Sequence, residues 1–148
     1  MTSYEEPILL DTNVLVYAAD ASSPFYETSM TLRNKGLGGE IRLCVCPQVL
    51  SEFFAVVTNP RRVAQPVAPE DAIEEMKKYH RSAHILKIYP GNDLLERMID
   101  LLYRYPVTRQ EIFDVQLLAT MLSNGITRLY TYNMDHFSRF HEVHVLTP

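Results

Sequence analysis

Three consecutive apolar residues, Ile8-Leu9-Leu10, run straight into Asp11-Thr12-Asn13, and the chain turns apolar again at Val14-Leu15-Val16-Tyr17. A short all-apolar run predicts a strand buried on both faces, here over 7–10. The polar triplet predicts a helix near 13–20 with Asp11 or Thr12 as its cap. A second helix is expected over 24–36, ended by Gly36, Gly38 and Gly39, and a second strand over 41–46. Pro47 suits the first turn of a helix over about 48–58, which Asn59-Pro60 stops. Residues 61–69 read as a loop. Pro69-Glu70-Asp71 opens a helix to about Ser82, acidic at its start and with Lys77 and Lys78 near its end, as the helix dipole favours. Alternation predicts a third strand over 84–89, followed by a turn and a helix to about Tyr105. A last long helix is expected over about 110–124, then a strand over 128–132 and a short fifth over 143–146.

Strands that alternate with helices predict an α/β fold of three layers, α/β/α, with a central parallel sheet of four or five strands flanked by helices. In such sheets, sites form at the carboxyl ends of strands near a topological switch point. Asp11 and the segment 133–136 fall just after strands one and four, where that rule places functional side chains.

Composition changes this picture little. A chain of 148 residues suits one domain over 1–148, and 47% hydrophobic with 22% charged residues excludes wholesale disorder. The net charge of −4 matters more. A polyanion would have to be met by local cations or bound metal, because bulk charge repels it. Cys44 and Cys46 lie one residue apart, a poor framework for a disulfide, and read as small core side chains in a reducing compartment. Met1-Thr2-Ser3-Tyr4-Glu5-Glu6-Pro7 has neither the basic start nor the apolar middle of a signal peptide, and no apolar run reaches membrane-spanning length. A cytoplasmic protein that does not engage a membrane is expected.

The acids carry the chemistry. Asp11, Glu52 and Asp114 all sit in oily surroundings: Val49-Leu50-Ser51-Glu52-Phe53-Phe54 and Ile112-Phe113-Asp114-Val115-Gln116-Leu117-Leu118 frame the latter two. A bare carboxylate in an apolar setting costs several kcal/mol or neutralises itself. Taken singly, Asp11 is also a good helix cap, Glu52 a snorkelling glutamate, Asp114 a first-turn charge and Asp135 a loop acid. Taken jointly, a shared divalent cation satisfies them at once. Hard oxygen ligands without a Cys or His cluster favour Mg²⁺ or Mn²⁺ over zinc. Such ions stabilise attacking and leaving oxygens in phosphoryl transfer and acidify water.

The ordered set Leu10-Asp11-Thr12-Asn13-Val14-Leu15, Ser51-Glu52-Phe53, Phe113-Asp114-x-x-Leu117-x-Ala119 and Tyr130-Thr131-Tyr132-Asn133-x-Asp135-x-Phe137 resembles a PIN domain across nearly the whole chain. It is particularly similar to the VapC-type ribonuclease toxins. The resemblance implies a PIN-like sheet flanked by helices and an Mg²⁺- or Mn²⁺-dependent endoribonuclease that hydrolyses RNA by metal-activated water. It also implies a homodimer and a cognate antitoxin. Asp11, Glu52 and Asp114 match the family's acids. At the fourth position many relatives carry an acid just before the phenylalanine, where this chain has His136. Either Asp135 serves there, or Asn133 and His136 complete the site. Thr12, Asn13, Thr131 and Asn133 are expected to orient those groups.

Two other readings stand beside this one: a noncatalytic RNA-binding or protein-interaction module of PIN-like fold, and another Mg²⁺-dependent phosphohydrolase. The haloacid-dehalogenase-like phosphatases need a second aspartate two residues after the first, and Asn13 stands there instead. Of the basic residues, Arg61, Arg62, Lys77, Lys78, Arg104 and Arg109 are candidates for a phosphate track, and Tyr17, Tyr26, Tyr130 and Tyr132 for stacking on bases. His80 and His84 share helical spacing but lack the glutamate of a zinc-protease motif.

Overall fold

The computed structural model describes residues 5–148. The expectation for the first seven residues therefore falls partly on 1–4, outside the described residues. Five parallel strands, β1 (Ile8–Leu10), β2 (Leu43–Val45), β3 (Leu86–Lys87), β4 (Arg128–Tyr130) and β5 (His144–Leu146), form one sheet in the order β3-β2-β1-β4-β5. Its register pairs Leu9 with Cys44 on one side and with Leu129 on the other. β1 is therefore central, and all three of its residues are buried. The chain winds outward from β1 through β2 to β3, then returns to β4 on the other side. The switch point lies between β1 and β4, directly beneath Asp11.

Helices cover the sheet: α1 (Thr12–Ala18), α2 (Tyr26–Leu37), α3 (Pro47–Val57), α4 (Pro69–Arg81), α5 (Leu94–Arg104), α6 (Ile112–Ser123) and the short α7 (Met134–Phe137). α3 shows how sequence sets orientation. Val49, Phe53 and Val57 recur every four residues and are buried, so that seam faces the core. Gln48, Glu52 and Val56 then fall on one flank, and Pro47, Leu50 and Ser51 on the other. A largely shielded pair, Arg33 with Glu75 at 2.6 Å, fastens α2 to α4. Cys44 and Cys46 are free, buried thiols.

Several elements differ from the expectation. Gly36 does not end α2 but lies inside it, where a Cβ would strike the Leu43 side chain; its role is close helix–sheet approach. Gly125, at φ 68°, supplies the left-handed turn that takes the chain from α6 into β4. β3 is much shorter than 84–89. As an edge strand it pairs only with β2, and Ile85 and Ile88 are the buried residues, a spacing that breaks the pleat and leaves Leu86 exposed. The helix expected from 110 begins as a 3-10 turn, Arg109–Glu111, in which the Thr108 N–H donates to Glu111 Oε1 at 3.3 Å. α7 was not anticipated. Among the described residues no helix is long and apolar enough to cross a membrane.

Candidate active site

Asp11 is the last residue before α1 and its N-cap, accepting from the Thr12 N–H at 2.8 Å. Its own N–H donates to the Tyr130 carbonyl at 3.0 Å, which fixes it between the ends of β1 and β4. The second carboxylate oxygen accepts from Thr131 Oγ1 at 2.8 Å. That hydroxyl also accepts from Asn13 Nδ2 at 3.1 Å and from the Asn133 N–H at 2.9 Å. A hydroxyl has one proton to give and two lone pairs to fill, so every capacity of Thr131 is used and its proton must point at Asp11. Thr131 is 0% exposed and Asp11 8%.

Glu52 reaches the same place from α3. It accepts from Thr12 Oγ1 at 2.8 Å and from Gln48 Nε2 at 3.2 Å. Thr12 thus ties two acids together, one through its backbone and one through its side chain. Asp114 projects from the first turn of α6 and accepts no hydrogen bond among the described residues. Its Oδ2 lies 3.7 Å from both His136 Nδ1 and a guanidinium nitrogen of Arg139.

These three carboxylates line a single cleft of about 1220 Å³, together with Thr12, Asn13, Asn133 and His136. Asp135 is not among the lining residues; it lies exposed on α7. The one-residue step around a helical turn explains the difference. With Phe137 buried as the anchor of α7, His136 rather than Asp135 is turned to the cleft. Of the basic candidates, Arg62 and Arg109 reach this cleft, whereas Arg61, Lys77, Lys78 and Arg104 do not. Arg109 has a left-handed backbone, φ 56°, a conformation uncommon outside glycine and one that collects at functional sites.

Electrostatics register the crowding. Burial pushes the Asp11 carboxyl up to about 6; the charges of Asp114 and Glu52 add to the push, and hydrogen bonds from Thr131 and Thr12 oppose it. Asp114 is raised as well, chiefly by burial, with Glu52 and Glu111 adding and His136 and Arg139 opposing. Two buried polar atoms beside the acids, Gln48 Oε1 and Arg139 Nε, have no partner among the described residues. As placed, no three His, Cys, Asp or Glu side chains among those residues close on one point as a ligand shell. The donor chemistry nevertheless fits a hard divalent cation: mutually repelling carboxylates, one of them without a hydrogen bond, beside orphaned polar atoms.

Sequence reasoning passed over Gln48, Glu111 and Arg139. Gln48 was within reach, since it precedes Glu52 by four residues on one helix face. Arg139 donates to Glu111 at 2.7 Å and stacks over Phe140 at 4.8 Å. The signal for it was its place just beyond the 133–137 motif.

The family model described as the PIN domain matches residues 8–143. Ribonuclease VapC48 of Mycobacterium tuberculosis is 27% identical over 143 residues, covering 93% of this chain and 94% of its own. Among solved structures, Mycobacterium tuberculosis VapC20, described as a sarcin-ricin loop cleaving toxin, superposes with a TM-score of 0.67 at 19% identity. That match covers 90% of this chain and 95% of VapC20. VapBC2 from Rickettsia felis, bound to a DNA fragment from its promoter, gives 0.65 at 16% identity over 95% of this chain and 98% of its own. At such identities the structural likeness speaks for the fold.

Proposed function

The chain belongs to the PIN domain family, and from that premise we propose that it is an endoribonuclease, the toxin of a toxin–antitoxin pair, which hydrolyses phosphodiester bonds of unpaired RNA with the aid of Mg²⁺ or Mn²⁺. One observation carries the reading. Asp11, Glu52 and Asp114, from three separate elements, line one cleft at the carboxyl end of the central strand.

Asp11, Glu52 and Asp114 would hold the cation; bound there, it would polarise a phosphoryl oxygen and acidify the attacking water. The chain's own groups prepare that event. Thr131 keeps its proton on one Asp11 oxygen and so fixes the carboxylate plane. Thr12 holds Asp11 and Glu52 at a set spacing. Asn13 donates to Thr131 and accepts from the Tyr132 N–H at 3.2 Å, so its amide is committed to positioning and does not supply the acid–base group of a phosphatase. Arg62 and Arg109 stand on the cleft wall as the cations that meet phosphate. With His136 at the fourth position, fewer carboxylates surround a second ion than an aspartate there would give.

Curated relatives named as VapC ribonucleases and solved VapBC complexes support an antitoxin partner. The ring cluster Tyr17–Phe25–Tyr132, with centroids 4.5–5.3 Å apart and Phe25 exposed, offers an apolar ledge beside the cleft for it. A second copy of the chain is the expected occupant of the exposed α5 stripe Leu95, Ile99 and Tyr103. Incubating wild type and Asp11→Asn with RNA, with and without Mn²⁺, tests the activity. Cleavage by wild type alone, dependent on the ion, is the expected result. Undiminished cleavage by the variant would reject the site, and turnover of a small phosphomonoester with RNA left intact would favour the phosphohydrolase.

A further inference from the structure

A second cavity, of about 400 Å³, opens on the other flank of α3, between α3, α4 and the carboxyl ends of β2 and β3. Its size falls within the range of small-ligand sites. Leu50, Ile73 and Met76 supply apolar walls, and the Tyr89 ring stands at its mouth, 55% exposed. No carboxylate lines it, although the chain as a whole is acidic. Lys77, Arg81 and Lys87 do line it, with His80. Lys77 is paired with Glu74 at 2.8 Å, but among the described residues Lys87 donates only to the Ser82 carbonyl, at 2.7 Å. Arg81 makes no hydrogen bond or contact ion pair among the described residues and acts only at longer range, on Glu74.

We propose that this pocket is a second RNA subsite, taking the base of an unpaired nucleotide remote from the scissile bond against Tyr89, with a phosphate held by Arg81 and Lys87. The proposal rests on the endoribonuclease reading and deepens it. Three features argue for a nucleotide. An apolar pocket with an exposed ring at its mouth suits an unstacked base, and every base offers a face to stack on it. Arg81 and Lys87, neither in a contact ion pair among the described residues, are the cations its phosphate requires. Position supplies the third: both cavities open at the carboxyl edge of one sheet, and only α3, roughly 10–12 Å thick with its side chains, stands between them. One extended RNA strand laid along that edge reaches both. An acidic amphipathic peptide is the competing occupant, but it would leave the pocket unrelated to the cleft next door.

Binding of a long single-stranded RNA and of a short oligonucleotide that covers only the cleft, by Tyr89→Ala, Tyr89→Phe and Arg81→Ala, tests this. Fluorescence anisotropy reads affinity, in wild type with Mn²⁺ omitted and in the non-cleaving Asp11→Asn background. Tyr89→Ala should weaken the long RNA about tenfold and Tyr89→Phe should restore it, since a phenyl ring still stacks. Arg81→Ala should lower the salt slope for the long RNA by about 0.7. Neither should alter the short oligonucleotide, or its KM where cleavage is seen. Wild-type affinity for both RNAs overturns the proposal. An equal loss on both overturns it too, by showing a structural effect. Unchanged RNA binding with lost affinity for an acidic amphipathic peptide overturns it in favour of a protein dock. Failure of wild type to cleave any RNA would reject the endoribonuclease reading, while the binding arms would still decide the subsite.

Discussion

On one flank of α3, Glu52 looks into a cleft of about 1220 Å³ floored by carboxylates; on the other, Leu50 and Ser51 look into an apolar pocket of about 400 Å³ rimmed by Arg81 and Lys87. One helix, eleven residues long, separates two kinds of burial. In the cleft, charge is withdrawn from water and held by directed hydrogen bonds from Thr12, Thr131 and Gln48, and it stays unfavourable enough to lift the Asp11 and Asp114 pKa values. In the pocket, the buried surface is apolar and the charged ends stay at the rim, so no such strain arises. The first environment suits a small ion of opposite charge. The second suits a flat apolar ring with an anionic attachment. Adjacent residues, Ser51 and Glu52, belong to different chemistry because each helical step rotates by about 100°.

The contrast can be broken most severely at Asp11 or Asp114. Asp11→Asn or Asp114→Asn should reduce RNA cleavage by at least about a hundredfold while circular dichroism and thermal unfolding still report a folded protein. Thr131→Val comes next. It removes the proton directed at Asp11, leaves the Asn133 N–H without its acceptor and leaves Asn13 Nδ2 only the Asp11 carboxylate, at 3.4 Å; the apparent Mn²⁺ affinity, read by titrating activity, should fall roughly 10–100-fold.

The third effect is a pH dependence. Asp11 has a folded-state pKa of about 6 against an ordinary 3.8, so the folded protein binds more protons between those values than the unfolded chain. Its stability contribution is therefore greatest below pH 4 and is lost as pH rises through 6. In cation-free buffer at pH 8, Asp11→Asn should make the protein more stable, by up to about 3 kcal/mol in urea unfolding. At pH 4 that gain should vanish. A variant less stable than wild type at both pH values would show that the hydrogen bonds outweigh the cost of burying the charge. Smallest of all is Ser51→Ala, which should change stability by less than about 0.5 kcal/mol and leave cleavage of a short RNA untouched. Glu52→Gln, one position on, should lose RNA cleavage as Asp11→Asn does.

The acids were legible because each departs from a local pattern. Asp11 ends an all-apolar strand, and Glu52 and Asp114 interrupt apolar helix sequence; the structure buries the first and half-buries the other two. The parallel sheet was legible from the alternation of strands and helices, whereas the pairing of β1 with β4 came from the structure. The fourth position was not. Whether Asp135 or His136 meets the cleft depends on where a four-residue helix starts, and a one-residue change in phase exchanges them. Gly36 was misjudged because a glycine that ends a helix and one that lets a helix touch a strand look alike in one dimension. The cation-rimmed pocket was invisible as a unit, since Lys77 and Arg81 belong to α4 while Lys87 ends β3 and Tyr89 lies just beyond it, and edge-strand geometry decides their meeting.

The Asn13 side chain also extends the sheet. Its carbonyl oxygen receives the Tyr132 N–H, past the last backbone pair of β4, so a side-chain amide acts as an extra rung of the ladder. The Tyr132 amide should therefore exchange its hydrogen with deuterated solvent about as slowly as the strand amides before it, whereas the amides of 134–138 should exchange early. Such a boundary would divide a rigid anvil beneath the scissile bond from a rim free to yield as RNA enters.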